Sequence, residues 1–136
     1  MMVEMELNKI VIDEKRHDQL IVLKEKNGSR VLPIVIGLSE VLAIRSKISG
    51  SKTPRPLTHD LLFEVIASLN AKVEKILIDK LEDSIFFAKL VVASESGRES
   101  TIDARPSDSI AIAVRAKAPI FVEESIITQA EERKGI

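Results

Sequence analysis

The chain has 136 residues, 45% of them hydrophobic and 30% charged, with a formal net charge of −1. This length suits one domain, the composition excludes a disordered chain, and the near-neutral balance argues against sequence-blind nucleic-acid binding driven by bulk charge. With no cysteine, no tryptophan, no tyrosine and four phenylalanines, disulfides, thiolate metal sites and cysteine nucleophiles are excluded, and an aromatic stacking platform is disfavoured.

Alternating apolar residues predict a first strand over residues 3–12 and a second over 19–25. Asn27-Gly28 predicts a type I′ hairpin into a third strand from Val31 to Ile36. Pro33 has no N–H to donate, which places that strand at an edge or gives it a bulge. Ser39 is the expected N-cap of a helix to about Ile48, with Val41, Leu42, Ile44 and Ile48 inward, Arg45 and Lys47 outward, and Gly50 closing it. Residues 49–56 form the most loop-like stretch, a candidate mobile segment beside a site. The next helix runs from Leu57 to Leu69, with Leu61, Leu62, Val65, Ile66 and Leu69 as one apolar stripe and Asn70 as C-cap. Strands follow at about 72–79, 84–93 and 99–103, with turns at Glu82-Asp83 and Ser96-Gly97. Pro106 opens a helix to about Lys117, and Ala118-Pro119 ends it. A short strand, Ile120 to Val122, precedes a terminal helix from Glu123 to about Arg133. Hairpins with interposed helices, without strict strand–helix alternation, predict a single α+β domain over 1–136 with a mostly antiparallel or mixed sheet and about four helices.

No apolar run is long enough to span a bilayer, and the first residues lack the basic and apolar regions of a signal peptide. A cytoplasmic protein without a membrane partner is expected. High charge, many isoleucines and no cysteine are compatible with a thermophilic source. An apolar edge hairpin and a short terminal helix favour a homo-oligomer, a dimer first.

Two segments can carry chemistry. In Arg55-Pro56-Leu57-Thr58-His59-Asp60 a helix start and Arg55 could hold a phosphate, and His59 could act as acid, base or metal ligand. Equally, Thr58 caps, Asp60 complements the helix dipole and His59 faces water. In Asp103-Ala104-Arg105-Pro106-Ser107-Asp108-Ser109 the two acids could share Mg²⁺ or Mn²⁺ while Arg105 grips phosphate. The plainer alternative has Asp103 or Ser107 capping and Arg105 paired with a carboxylate. Glu40 lies in the first turn of its helix and joins the set only as a third acid. His17 belongs to a charged, solvated turn. The phosphate loop, dinucleotide glycine motif, zinc-protease motif and nucleophile elbow are all missing.

The runs Leu32-Pro33-Ile34-Val35-Ile36-Gly37, Arg55-Pro56-Leu57-Thr58-His59-Asp60-Leu61 and Ile102 to Ala111, with Glu40 between the first two, resemble the bifunctional nuclease domain family. The resemblance covers residues 3–128, and the chain is similar to the family's small bacterial members. Val41 and Ser109 stand where the family has Ala, and neither is a charged motif position. The resemblance implies a nuclease acting on DNA and RNA. The expected roles are His59, Asp60 and Asp108 in catalysis, Arg55 and Arg105 on phosphate, and Asp103, Asp108 and Glu40 as ligands of Mg²⁺ or Mn²⁺. The competing expectation is a non-catalytic oligomeric scaffold or small-ligand module whose Arg-Pro and Asp motifs form a salt-bridge network.

Overall fold

The computed structural model of the protein describes residues 1–13, 15 and 18–134. His17 lies outside the described residues. Among the described residues seven strands form one mixed sheet: β1 (Met2–Val11), β2 (Gln19–Glu25), β3 (Val31–Ile36), β4 (Lys72–Glu82), β5 (Ile85–Ala93), β6 (Glu99–Ala104) and β7 (Ile120–Glu123). Four helices accompany them: α1 (Leu38–Ser49), α2 (Thr58–Ser68), α3 (Pro106–Ala116) and α4 (Glu124–Lys134). The architecture is the expected α+β class.

The sheet order is β3-β2-β1-β7-β4-β5-β6. Two antiparallel meanders, β1 to β3 and β4 to β6, are joined by β7, which runs antiparallel to β1 and parallel to β4. Register brings apolar partners onto one face: Ile21 opposite Ile34, Leu23 opposite Leu32, Ile76 opposite Leu90, and Ile120 beside both Met5 and Ile76. These residues are buried in one aliphatic core that also takes Val41 and Ile44 from α1 and Ile126 and Ile127 from α4. Pro33 sits on the edge strand β3, where its missing N–H costs no ladder bond.

The turns follow a different chemistry from the expected one. Neither Asn27 nor Gly28 has a positive φ, and a four-residue loop closes between the Glu25 amide and the Arg30 carbonyl at 3.0 Å. The two-residue hairpin instead falls at Asp83 and Ser84, with φ of 51° and 64°, both in the left-handed region that a type I′ turn requires. Gly50, at φ 71°, does end α1: its amide bonds the Lys47 carbonyl and the next amide bonds that of Ser46. Asn70, at φ 58°, follows the C-cap Leu69 and closes α2 through the same pair of bonds, to Ala67 and Ile66.

α3 is the central helix. It packs against α1, α2, β4 and β5, and Ile110, Ala111, Ile112 and Ala113 are buried consecutively, so it is enclosed on every side. α2 is its opposite, with no buried residue. Phe63 and Ile66 pack partly against the core, whereas Leu61, Leu62, Val65 and Leu69, expected inside, are exposed, as is Ile48 of α1. Periodicity reveals that an apolar stripe exists but not which surface covers it, and α2 carries apolar residues on both sides.

Ile110 is wholly buried in α3, so Ile110→Ala is expected to cost about 2–5 kcal/mol in urea denaturation, from lost apolar burial plus the cavity left.

Candidate functional site at three helix starts

Each of the first three helices opens with an acid at its third position. The N-caps are Gly37, Leu57 and Arg105, which puts Glu40, Asp60 and Asp108 in equivalent places. A carboxylate there faces the unpaired amides and positive end of the helix. The caps expected at Ser39, Thr58, and Asp103 or Ser107 are therefore displaced. The two Arg-Pro dipeptides also differ: Pro106 is the first residue of α3, while Pro56 precedes the N-cap of α2.

A chain of charged bonds links α1, α2 and α3. His59 Nε2 lies 2.8 Å from Asp108 Oδ1. Arg105 donates from Nε to Asp108 Oδ2 at 2.8 Å, and from Nη2 to Asp108 Oδ1 and to Glu40 Oε1, both at 3.2 Å. The Arg105 side chain is still 66% exposed, so it closes one side of the cluster and faces solvent with the other. Gly37 makes room for this arrangement, because a Cβ there would collide with the Glu40 carboxylate.

The charges are mutually stabilised. Partial burial pushes the Asp108 carboxyl up, but hydrogen bonds from Arg105 and His59 outweigh it and hold the pKa below the ordinary carboxylate value. Arg105 is raised above its ordinary value, first by its bond to Asp108 and also by Glu40. With Asp108 ionised, it accepts a hydrogen bond from His59 Nε2–H, so that in the neutral ring the lone pair is on Nδ1.

The other expected site residues are placed elsewhere. Asp60 accepts the Leu57 amide at 2.9 Å and the Arg115 Nε–H at 2.7 Å. Burial pushes it up, and the Leu57 amide and Arg115 bring it down further, to a net lowering. Arg115 is buried and also donates to the carbonyls of Ala111 and Ala43, tying α2, α3 and α1 together. Its signal in the sequence is a lone cation in the otherwise uncharged run Ile110 to Ala116. Asp103 is exposed on β6 and pairs across the sheet with Lys89 at 3.3 Å. Asp103, Arg105 and Asp108 do line one open groove, with Phe86 and Phe87 on its other wall. Arg55 lies exposed in the loop before α2, and its guanidinium forms no ion pair among the described residues. An open cavity of about 530 Å³ lies away from this cluster, between β1 and the end of α3.

The acids do not fit a ready-made divalent-metal site. Among the described residues no three His, Asp or Glu side chains are grouped to hold a metal ion. Asp108 and Glu40 already share Arg105, and Asp103 is paired with Lys89.

The fold and site thus define an α+β protein whose candidate site is an acid, arginine and histidine junction at converging helix starts. The bifunctional nuclease domain matches residues 21–134, and the chain belongs to that family. It is 41% identical over 121 residues to an uncharacterized protein of Mycobacterium tuberculosis H37Rv, covering 89% of this chain and 71% of the relative. Bifunctional nuclease 2 of Oryza sativa subsp. japonica is 30% identical over 118 residues, covering 85% of this chain and 36% of its own length. Bifunctional nuclease 1 of Arabidopsis thaliana is 28% identical over 107 residues, 76% of this chain and 33% of its own. This chain therefore corresponds to about a third of each plant relative. Among the described residues no helix is long and apolar enough to cross a membrane.

Two outcomes follow from the electrostatics. Because Asp108 binds its proton less readily folded than unfolded, its contacts stabilise the fold above the unfolded carboxylate pKa of about 3.9, and this is lost as pH falls through the lower folded value. Asp108→Asn is thus expected to lower the Tm near neutral pH, with the gap to the parent shrinking as the pH falls below the unfolded carboxylate value; a gap that stays constant contradicts the assignment. Arg115→Ala is expected to cost about 2–4 kcal/mol in urea denaturation, by removing two carbonyl partners and the mate of Asp60.

Proposed function

We propose that the protein hydrolyses phosphodiester bonds in DNA and RNA at the groove beside Asp108. The observation that carries this reading is the 2.8 Å contact between His59 Nε2 and Asp108 Oδ1 next to the exposed Arg105 guanidinium. Family membership and the printed names of the plant relatives support it.

In this reading His59 is the catalytic residue. Its Nδ1 lone pair takes a proton from the attacking water, the water oxygen bonds to phosphorus, and the bond to the leaving oxygen breaks. That oxygen is protonated by the imidazolium or by solvent, which closes the balance as one water consumed per bond cut. Asp108 positions the ring. Arg105 neutralises the phosphoryl oxygens. Arg55, free of a carboxylate partner among the described residues, supplies a second phosphate contact from the loop. Asp60 fixes the start of α2 through Arg115 and the Leu57 amide, and so positions His59. Dependence on Mg²⁺ or Mn²⁺, with Asp103, Asp108 and Glu40 as ligands, would require those acids to leave their present cations, and no step above is routed through a metal. A cytoplasmic setting and a homodimer belong to the same proposal.

One observation favours the competing scaffold or ligand-binding role: Glu40, Asp60, Asp103 and Asp108 all have a basic partner. Cleavage of single- and double-stranded DNA and RNA, with Mg²⁺, Mn²⁺ or EDTA, separates the two. Activity is expected to fall about 10²–10⁴-fold in His59→Ala, and Asp108→Asn is expected to lower it as well. Cleavage that both variants retain in full traces to a contaminant and removes the nuclease reading. Activity that survives chelation removes the metal alone.

A further inference from the structure

Thr58, Leu61, Leu62, Val65 and Leu69 occupy an arc of about 100° on α2, at about 100° per residue. No charged residue falls inside that arc. The four apolar side chains are 59%, 42%, 45% and 73% exposed in sequence order. They present roughly 400 Å² of surface, within the range of the largest patch on a typical monomer and often functional at that size. Such exposure is unusual for a helix that also carries His59 and Asp60 on its inner side.

The pattern is symmetric. Val65 lies at the middle of the arc and at the middle of the stripe, with Leu61 four residues before it and Leu69 four after. A two-fold axis through Val65 would lay α2 antiparallel on its copy, with Leu61 against the copy's Leu69, Leu69 against the copy's Leu61, and the two Val65 side chains together. Such a contact is isologous and closes at two subunits. It places helix dipoles head to tail and brings no like charges together from within the stripe. Doubled by symmetry, the stripe contributes about 800 Å² of burial, so modest flanking contacts reach the low end of a specific interface near 1,200 Å².

We infer that the outward face of α2 is the surface through which two copies of this chain associate, about a two-fold axis at Val65. The inference rests on the homodimer reading and is independent of the nuclease chemistry. It takes the place of α4 as the expected contact, since Ile126 and Ile127 of α4 are buried in the protein's own core.

Sedimentation velocity over a concentration series tests it, using the parent chain, Val65→Lys and Val65→Asp. The parent is expected to be a dimer. Each variant alone sets two like charges on the axis and is expected to weaken association at least about a hundred-fold. Mixing the two variants pairs opposite charges and is expected to restore a dimer. Unchanged circular dichroism and Tm, measured at a concentration where all species are monomeric, would show that the exposed substitutions leave the fold intact. A monomeric parent overturns the homodimer reading itself. A parent dimer that both variants retain overturns only the α2 surface. Variants that dissociate but do not recover on mixing overturn the axis at Val65.

Discussion

The burial of α3 is the constraint on which the remaining geometry depends. Its middle is a run of four buried aliphatic residues, enclosed by β4 and β5 on one side and by α1 and α2 on the other. A helix so held has no freedom of rotation or translation. Its N-cap and third residue therefore deliver Arg105 and Asp108 to fixed points at one end of the core. Seven residues beyond Asp108, about two helical turns away, Arg115 is delivered to another. The two side chains on α2 that answer them, His59 and Asp60, are consecutive. α2 has no buried residue of its own, so these bonds and the partial packing of Phe63 and Ile66 are what attach it.

The two halves of that attachment differ in character. Arg115 is buried, and each of its three guanidinium nitrogens donates to a protein acceptor: two carbonyls and a carboxylate that also satisfies a helix-start amide. A buried guanidinium shared among three elements in this way acts as a brace. Arg105 lies at the surface and splits its fork between Asp108 and Glu40, with most of its area in water. Such an arginine is held in place while still open to an incoming anion, and His59 shares its carboxylate. The structural and functional readings of the charged residues thus apply to different arginines. Arg115 and Asp60 bond within the interior of the helix layer, and Arg105, Asp108 and His59 bond at its solvent-facing end.

What was legible in the sequence follows the same division between local and long-range information. Periodicity and turn signals together located the strands and helices described, with alternation clear in β2 and β3, whereas β6 is exposed throughout and was marked by its flanking turn and Pro106. Caps were displaced, because the acid at the third position leaves glycine, leucine and arginine free to serve as N-caps with no side-chain bond. The hairpin signal at Asn27-Gly28 was overridden because the charged groups of Glu25 and Arg30 clamp a longer loop, with Arg30 also bound to Glu124 ninety-four residues away. The pairing of His59 with Asp108 spans 49 residues, and nothing in either motif states it. Nor did the pattern within α3 show that its one cation would turn inward to α2.

α2 is where these limits meet. Read as a helix alone, its strongest apolar stripe belongs inside, and that expectation fails because a second, weaker stripe of Phe63 and Ile66 faces the core beside His59 and Asp60. A helix with one side committed to a polar clamp cannot also turn its larger apolar side inward. The leucines and Val65 are left facing solvent as the cost of placing His59 over Asp108. Covering that outer face with another copy would remove the apolar exposure and press α2 from behind against α3. The exposed stripe and the candidate site are thus two consequences of one helix serving two surfaces.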